Sequence, residues 1–237
     1  MHCFYCEGLK LDSSIVSLNK IESQHLFKTL RARNGDKVEL INGRGVFAHA
    51  EVAEGKQLKI INTFEQLQHS QKLMLFLSPP KKNKMDILLR QCAELGVNEI
   101  VLIITENSVS IPHKANMVEK WQQNLIEGCK QSKNAFLPQI SLPIKFKELF
   151  ENSDDFDFSN NIDAYFGAIH GQKSVSIVNN LKNYAVGWFV GPEGGFTSDE
   201  ELVLEQNNIK PLRIGNYVMR VETAVVAGCA LLININS

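Results

Sequence analysis

Two short stretches of this chain carry residue types that can do chemistry. In the first, Arg220 and Glu222 flank Val221 just before an apolar run, AVVAGCALLINI, that reaches Ile235. A guanidinium so placed can hold an anion or grip a base edge, and a carboxylate is favoured there by the dipole of the helix it begins. The same pair also reads as plain helix capping, and spacing alone leaves both readings open. In the second stretch, Gly191-Pro192-Glu193-Gly194-Gly195 follows the apolar run VGWFV. Its glycines permit positive-φ turns and let backbone approach a flat ligand closely. It is neither a G-x-G-x-x-G fingerprint nor a P-loop, since no GK[ST] follows, and a tight strand-to-helix turn explains it equally well. A further glycine-bearing loop lies within Arg213–Thr223, again after a strand-like run.

The elements that must position these loops are legible from periodicity. Thr197 and Glu200 have capping-box spacing, so a helix starts directly after the glycine-rich turn. That puts the turn at a strand's carboxyl end, where α/β proteins hold their ligands. From Lys72 onward, strands alternate with helices: LMLFLS; KMDILLRQCAEL, with Met85, Leu88, Leu89, Cys92 and Leu95 on its apolar side; EIVLIIT; VEKWQQNLIEGCKQ; AYFGAI; GWFV; PLRI. Such alternation predicts a largely parallel sheet covered on both faces. Ahead of it lies a small β-rich module. Ser23–Arg33 has helical spacing, and KVELINGRGVFAHAEV is two alternating runs split by Asn42-Gly43, a hairpin signal. The polar Gln66–Gln71 region reads as a linker between domains 1–70 and 71–237, and ENSDDFDFSNN as a solvated loop.

Composition narrows the classes. With 237 residues, 44% of them apolar, the chain can bury a substantial core. A formal net charge of −1 argues against non-specific coating of a polyanion and leaves recognition of one structured RNA site open. No stretch reads as a secretory signal, and the apolar C-terminal run is short of the ~20 residues a membrane-spanning helix needs. Cys3, Cys6, Cys92, Cys129 and Cys229 are an odd set, mostly inside apolar patterns, which fits reduced thiols in a cytoplasmic protein. Cys3 and Cys6 form a CxxC, but no second such pair accompanies it, so no metal is expected. Basic residues crowd two places, Lys28, Arg31 and Arg33 in one and Lys81, Lys82 and Lys84 in the other. These are either phosphate contacts or merely solvated faces.

GPEGG after a strand, followed by a helix, a strand and IGNYVMRVETAVVA, resembles the C-terminal signature of SPOUT-class RNA methyltransferases. More narrowly, it resembles the RsmE family, which methylates N3 of a uridine in 16S ribosomal RNA. HLFKTLRARNGDKVELINGRG is similar to that family's N-terminal PUA-like module, PKKNKMDILLRQCAELGVNEIVLIITENSV to its middle block, and KWQQNLIEGCKQS to the next helix. Some positions depart. Where the family's last loop reads close to LGPRILRTETA, this chain has Asn216-Tyr217 in place of the Pro-Arg pair. Asn107 stands where the family often has arginine, and Lys133-Asn134-Ala135 where it often has Gly-Arg-Asn.

The resemblance implies an α/β fold: a C-terminal SPOUT domain, tied in a trefoil knot, behind a small PUA-like β-barrel domain. It implies S-adenosylmethionine as methyl donor, a molecule without phosphate that needs no phosphate loop. Donor contacts would fall on Ala168, Ile169 and His170, on Gly191, Pro192, Glu193, Gly194 and Gly195, and on Ile214, Gly215, Val218, Met219 and Thr223. Arg220 would stand beside the target base, with Glu222 as base or brace, and Lys28, Arg31, Arg33, Lys82 and Lys84 would contact RNA. The implied partners are 16S ribosomal RNA in the small subunit and a second copy of the chain in a homodimer, with no membrane. Two rival readings are a SPOUT methyltransferase with another RNA target and a non-catalytic RNA-binding or ribosome-assembly factor on the same fold.

Overall fold

The computed structural model describes residues 1–68, 70–109, 115–151, 156–173 and 183–234. The chain divides into two compact units, Met1–Gln68 with Leu125–Leu137 and His69–Asn124 with Pro138–Ser237. Within the expected linker Gln66–Gln71, His69 lies outside the described residues, as do Ile235 of the C-terminal run and residues 152–155 of the acidic stretch.

The first unit contains β1 (Cys3–Tyr5), β2 (Ile15–Val16), α1 (Lys20–Gln24), β3 (Lys37–Ile41), β4 (Val46–Ala53) and β5 (Gln57–Glu65), in one sheet of order β1-β3-β4-β5-β2. Alternation along β4 sends Ala48, Ala50 and Val52 inward, onto a core with Phe4, Leu9, Leu26 and Leu58. The helix starts earlier than its apolar spacing suggests, because the Asn19 side chain accepts from the Glu22 N–H at 2.9 Å. It passes into a π turn over His25–Thr29 and stops before Arg31, which takes a positive φ of 55°. The hairpin loop is also wider than a two-residue turn. Asn42 Oδ1 accepts from both Arg44 N–H and Val46 N–H, at 2.8 and 2.9 Å, and so spans Asn42–Gly45 with one side chain. Leu125–Leu137 adds a buried ion pair to this unit, Lys130 Nζ to Glu22 Oε1 at 2.9 Å.

The second unit holds β6 (Lys72–Leu77), α2 (Lys82–Glu94), β7 (Glu99–Ile104), the start of α3 (Ala115–Ser132), β8 (Gln139–Ile140), β9 (Ile144–Lys145) and α4 (Glu148–Glu151). It continues through β10 (Ile162–Lys173), β11 (Ala185–Val190), α5 (Ser198–Gln206), β12 (Lys210–Arg213) and α6 (Val221–Ile233). Its sheet has the order β12-β10-β11-β6-β7-β8, with β9 also on β7, and every pairing is parallel. Strands such as LMLFL and AVGWFV are apolar throughout because both faces are covered. Met74, Phe76 and Phe189 face one layer. By alternation Leu75 and Trp188 face the other, where α6 packs on β11, β6 and α2.

One expectation needs correcting here. The acidic stretch is not a solvated loop throughout: Phe158 is buried, and Phe156 and Phe158 set their rings edge-on to Phe76 at 5.3 and 5.5 Å. Its phenylalanines go to the core while Ser159, Asn160 and Asn161 stay exposed. Among the described residues no helix is long and apolar enough to cross a membrane, and no group of side chains is arranged to hold a metal ion.

Candidate active site

The carboxyl ends of β11 and β12 and the bulge of β10 after Gly167 meet side by side around one cleft of about 470 Å³. Gly167, Ala168 and Ile169 come from β10. Gly191, Pro192, Glu193 and Gly195 follow β11, and Ile214, Gly215, Tyr217, Val218, Met219 and Arg220 follow β12. The parallel order β12-β10-β11 is what makes them neighbours, since it sets the carboxyl ends of β11 and β12 beside the bulge of β10.

The glycine-rich loop is held rigidly from outside the cleft. Thr197 Oγ1 accepts from Glu200 N–H at 3.2 Å and Glu200 Oε2 accepts from Thr197 N–H at 2.9 Å, a complete capping box. The other carboxylate oxygen, Oε1, accepts from Glu106 N–H at 2.8 Å and so ties α5 to the loop after β7. From that same loop Asn107 donates to the Gly195 carbonyl at 3.1 Å. A Cβ at Gly194 would meet Asn107 Cβ at 3.2 Å, and one at Gly191 would meet the Phe196 N at 3.1 Å. Gly195 takes φ 73°, a left-handed turn that favours glycine.

Charge in the cleft centres on Lys84, near the start of α2. Its Nζ lies 3.1 Å from Glu222 Oε1 and 3.9 Å from Glu193 Oε1. The Glu222 carboxyl is held below the ordinary carboxylate range, first by its own backbone N–H and then by Lys84 and Arg220. Arg220 is the N-cap residue of α6, with extended backbone, and its exposed side chain lies on the cleft.

The sequence-derived residues therefore sort as follows. Ala168, Ile169, Gly191, Pro192, Glu193, Gly195, Ile214, Gly215, Val218, Met219 and Arg220 line the cleft. His170, Gly194 and Thr223 do not: His170 is exposed, its Nε2 3.9 Å from Glu201 Oε2, Gly194 is packed on Asn107, and Thr223 is exposed on α6. Glu222 stands behind Lys84. That lysine, expected as an RNA contact, is part of the cleft itself. Lys28, Arg31 and Arg33 are exposed in the first unit, while for Lys82 only the backbone, in α2, is among what is described. Phe189, Phe196, Glu201, Leu212 and Tyr217 also line the cleft and were missed. Position in the last residues of a strand that leads into a cleft loop could have flagged Phe189 and Leu212; no local signal marks Lys84, Phe196 or Glu201.

Comparison with known proteins follows the same outline. A family model described as an RNA methyltransferase domain matches residues 67–233, and one described as an RNA methyltransferase PUA domain matches residues 18–62. The chain is 28% identical to a ribosomal RNA small subunit methyltransferase E from Aquifex aeolicus, over 99% of this chain and 100% of that one. It is 27% identical to the protein of that name from Rickettsia conorii, over 95% and 92%. Among solved structures, the ribosomal RNA small subunit methyltransferase E from Neisseria gonorrhoeae bound to S-adenosyl methionine superposes with a TM-score of 0.85, at 25% identity, covering 98% of this chain and 96% of that one. The fold class implied by the sequence resemblance is the one observed.

Proposed function

Because the chain belongs to the RNA methyltransferase family, we propose that it transfers the methyl group of S-adenosylmethionine to N3 of one uridine in 16S ribosomal RNA of the small subunit. The observation that carries this reading is the convergence of the two loops after β11 and β12 and the bulge of β10 on one cleft with Arg220 on its edge. The names of relatives that match over nearly the whole chain support the substrate class.

The lining suits the donor. Backbone at Gly191 and Gly195 and apolar side chains such as Ile214 and Leu212 offer a slot for a flat adenine. Glu193 and Glu201 bring negative charge to the same cleft, which suits a sulfonium and an ammonium group. When bound, S-adenosylmethionine supplies an electrophilic methyl group. The chain's own residues do the rest. Uridine N3 carries a proton at neutral pH and must release it to solvent water while its ring is held in line. Arg220 donates to a uracil carbonyl oxygen and stabilises the imide anion as it forms. Glu222, whose pKa is depressed, is a weak proton acceptor; its part is to hold Lys84 toward the cleft, where the ammonium adds to the field that favours that anion. Residues 1–70 position the RNA, with Lys28, Arg31, Arg33 and Lys82 as phosphate contacts, and residues 71–237 form the catalytic domain. The protein works as a homodimer in the cytoplasm.

The test incubates the pure protein and S-adenosylmethionine with small subunits from cells lacking this activity, then reads the 16S RNA by primer extension. A methyl on N3 blocks the Watson–Crick edge, so a donor-dependent stop at a single uridine is expected. Arg220→Ala should abolish that stop while leaving donor binding intact. No stop, under conditions where a relative gives one, sinks the substrate assignment.

A further inference from the structure

Asn216-Tyr217 is the departure from the family pattern that the reading above does not use. Tyr217 is 85% exposed and Val218 82%, although both line the cleft. Their neighbour Met219 does the opposite, with its Cε folded to 2.7 Å from where a Cβ on Gly215 would stand. The loop thus splits: Met219 folds over Gly215 and both are half-buried, while Tyr217, Val218 and Arg220 are exposed on the same cleft. Among the described residues, the Tyr217 ring meets no other ring and its hydroxyl has no partner. A large planar side chain so bare is poised to meet something that the isolated chain lacks.

We propose that Tyr217 is the stacking wall for the acceptor: its phenol ring packs flat on the target uracil, or on the base next to it, beside Arg220. This rests on the function proposed above and deepens it. Two properties favour a base over other occupants. The ring lies on the cleft that also carries Arg220, so a base lying on it has its polar edge within that residue's neighbourhood. Phenol and guanidinium are, moreover, both among the side-chain planes on which unpaired RNA bases stack. Arginine in the family pattern and tyrosine here are therefore interchangeable as a flat surface, though not as a charge. The backbone supports such a role, because the loop is anchored by β12 on one side and by α6 on the other.

Steady-state methylation of small subunits by Tyr217→Ala, Tyr217→Phe and Tyr217→Arg, with calorimetric donor binding for each, tests this. The expected loss in kcat/KM for Tyr217→Ala is roughly 5- to 150-fold, carried by KM for RNA with donor affinity unchanged, since a stacked base contributes about that factor. Tyr217→Phe and Tyr217→Arg should keep activity to within about threefold, a tolerance set by the shared plane. Full activity in Tyr217→Ala overturns the proposal. So does a parallel loss of donor affinity, or a large gain in Tyr217→Arg, which would mean that charge is what the position uses. A shift of the sedimentation coefficient on Tyr217→Ala also overturns it, by assigning the ring to a second copy of the chain. Fluorescence anisotropy with a labelled oligouridylate, in the presence of S-adenosylhomocysteine, separates this proposal from the function it rests on. If the wild type transfers no methyl group yet binds the oligonucleotide in a Tyr217-dependent way, stacking stands and the reaction assignment falls.

Discussion

Replacing Gly228 with alanine should loosen the cleft from a distance, and the structure fixes the size of the effect. Gly228 lies in α6 where that helix crosses Trp188 of β11. A Cβ there would sit 2.2 Å from Trp188 Cε2, 2.3 Å from Nε1 and 2.7 Å from Cζ2. Ordinary carbon contacts lie near ~3.5–4.0 Å, so the helix or the ring must give by more than ~1 Å. The ring cannot retreat. It is fully buried, and its Nε1 donates to the Ala224 carbonyl at 3.1 Å. Overpacking of this kind costs about 1–3 kcal/mol, at the upper end here because an aromatic ring rather than a flexible chain end is struck. Alanine's better helix propensity returns about 1 kcal/mol, leaving a net loss of about 2 kcal/mol. For a chain of this length that lowers Tm by roughly 4–8 °C. Because α6 begins at Val221, beside Arg220, its displacement should also weaken donor binding. Thermal unfolding followed by circular dichroism, with donor titration of the same samples, measures both. In a Trp188→Phe background the added methyl group finds room, so the Gly228→Ala penalty should nearly vanish. An unchanged or higher Tm for Gly228→Ala, or an equal loss in both backgrounds, refutes the reasoning.

Three further outcomes are expected. Glu200→Ala strips acceptors from Glu106 N–H and Thr197 N–H, bonds to a charged group worth about 1.5–3 kcal/mol each. Calorimetry should show donor affinity down by about tenfold or more, a change of about 1.4 kcal/mol, and unaltered affinity would mean that the brace does not shape the cleft. For Glu222 the folded pKa lies below its ordinary value of 4.5, so its stabilising contribution is complete above that pH and is lost as pH falls through the lower folded value. The Tm gap between wild type and Glu222→Gln should accordingly hold from pH 8 to pH 5 and close only in more acid solution; closure already near pH 6 would contradict it. Burial pushes the thiols of Cys3, Cys129 and Cys229 up to about 12 and raises those of Cys6 and Cys92, so the folded protein at pH 8 presents almost no thiolate. A fast burst with a disulfide reagent before denaturation would argue otherwise.

Much of this molecule is determined locally, and there the sequence suffices. The continuous apolar runs, the Thr197–Glu200 capping spacing, Gly96 closing α2 with φ 77° and the glycines of the 191–195 loop follow from chain neighbours interacting with chain neighbours. Alternation of strands and helices dictates a parallel sheet, and a parallel sheet dictates that its loops hold ligands at the carboxyl ends. Other features arise only when distant segments meet. The ion pair of Lys84 with Glu222 joins positions 138 residues apart, and no periodicity foretells which carboxylate an amine will find. The same holds for Asn107 on Gly195, for Phe196 and Glu201 at the cleft wall, and for Phe156 and Phe158 leaving an acidic stretch for the core. His170 is the converse case: it adjoins the lining residues Ala168 and Ile169 in sequence, yet it stays exposed beside Glu201 and is not among the residues that line the cleft. Strand order decides these pairings, because placing β10 between β12 and β11 determines which loops share a cleft, whereas the patterning of each segment determines only that a strand exists.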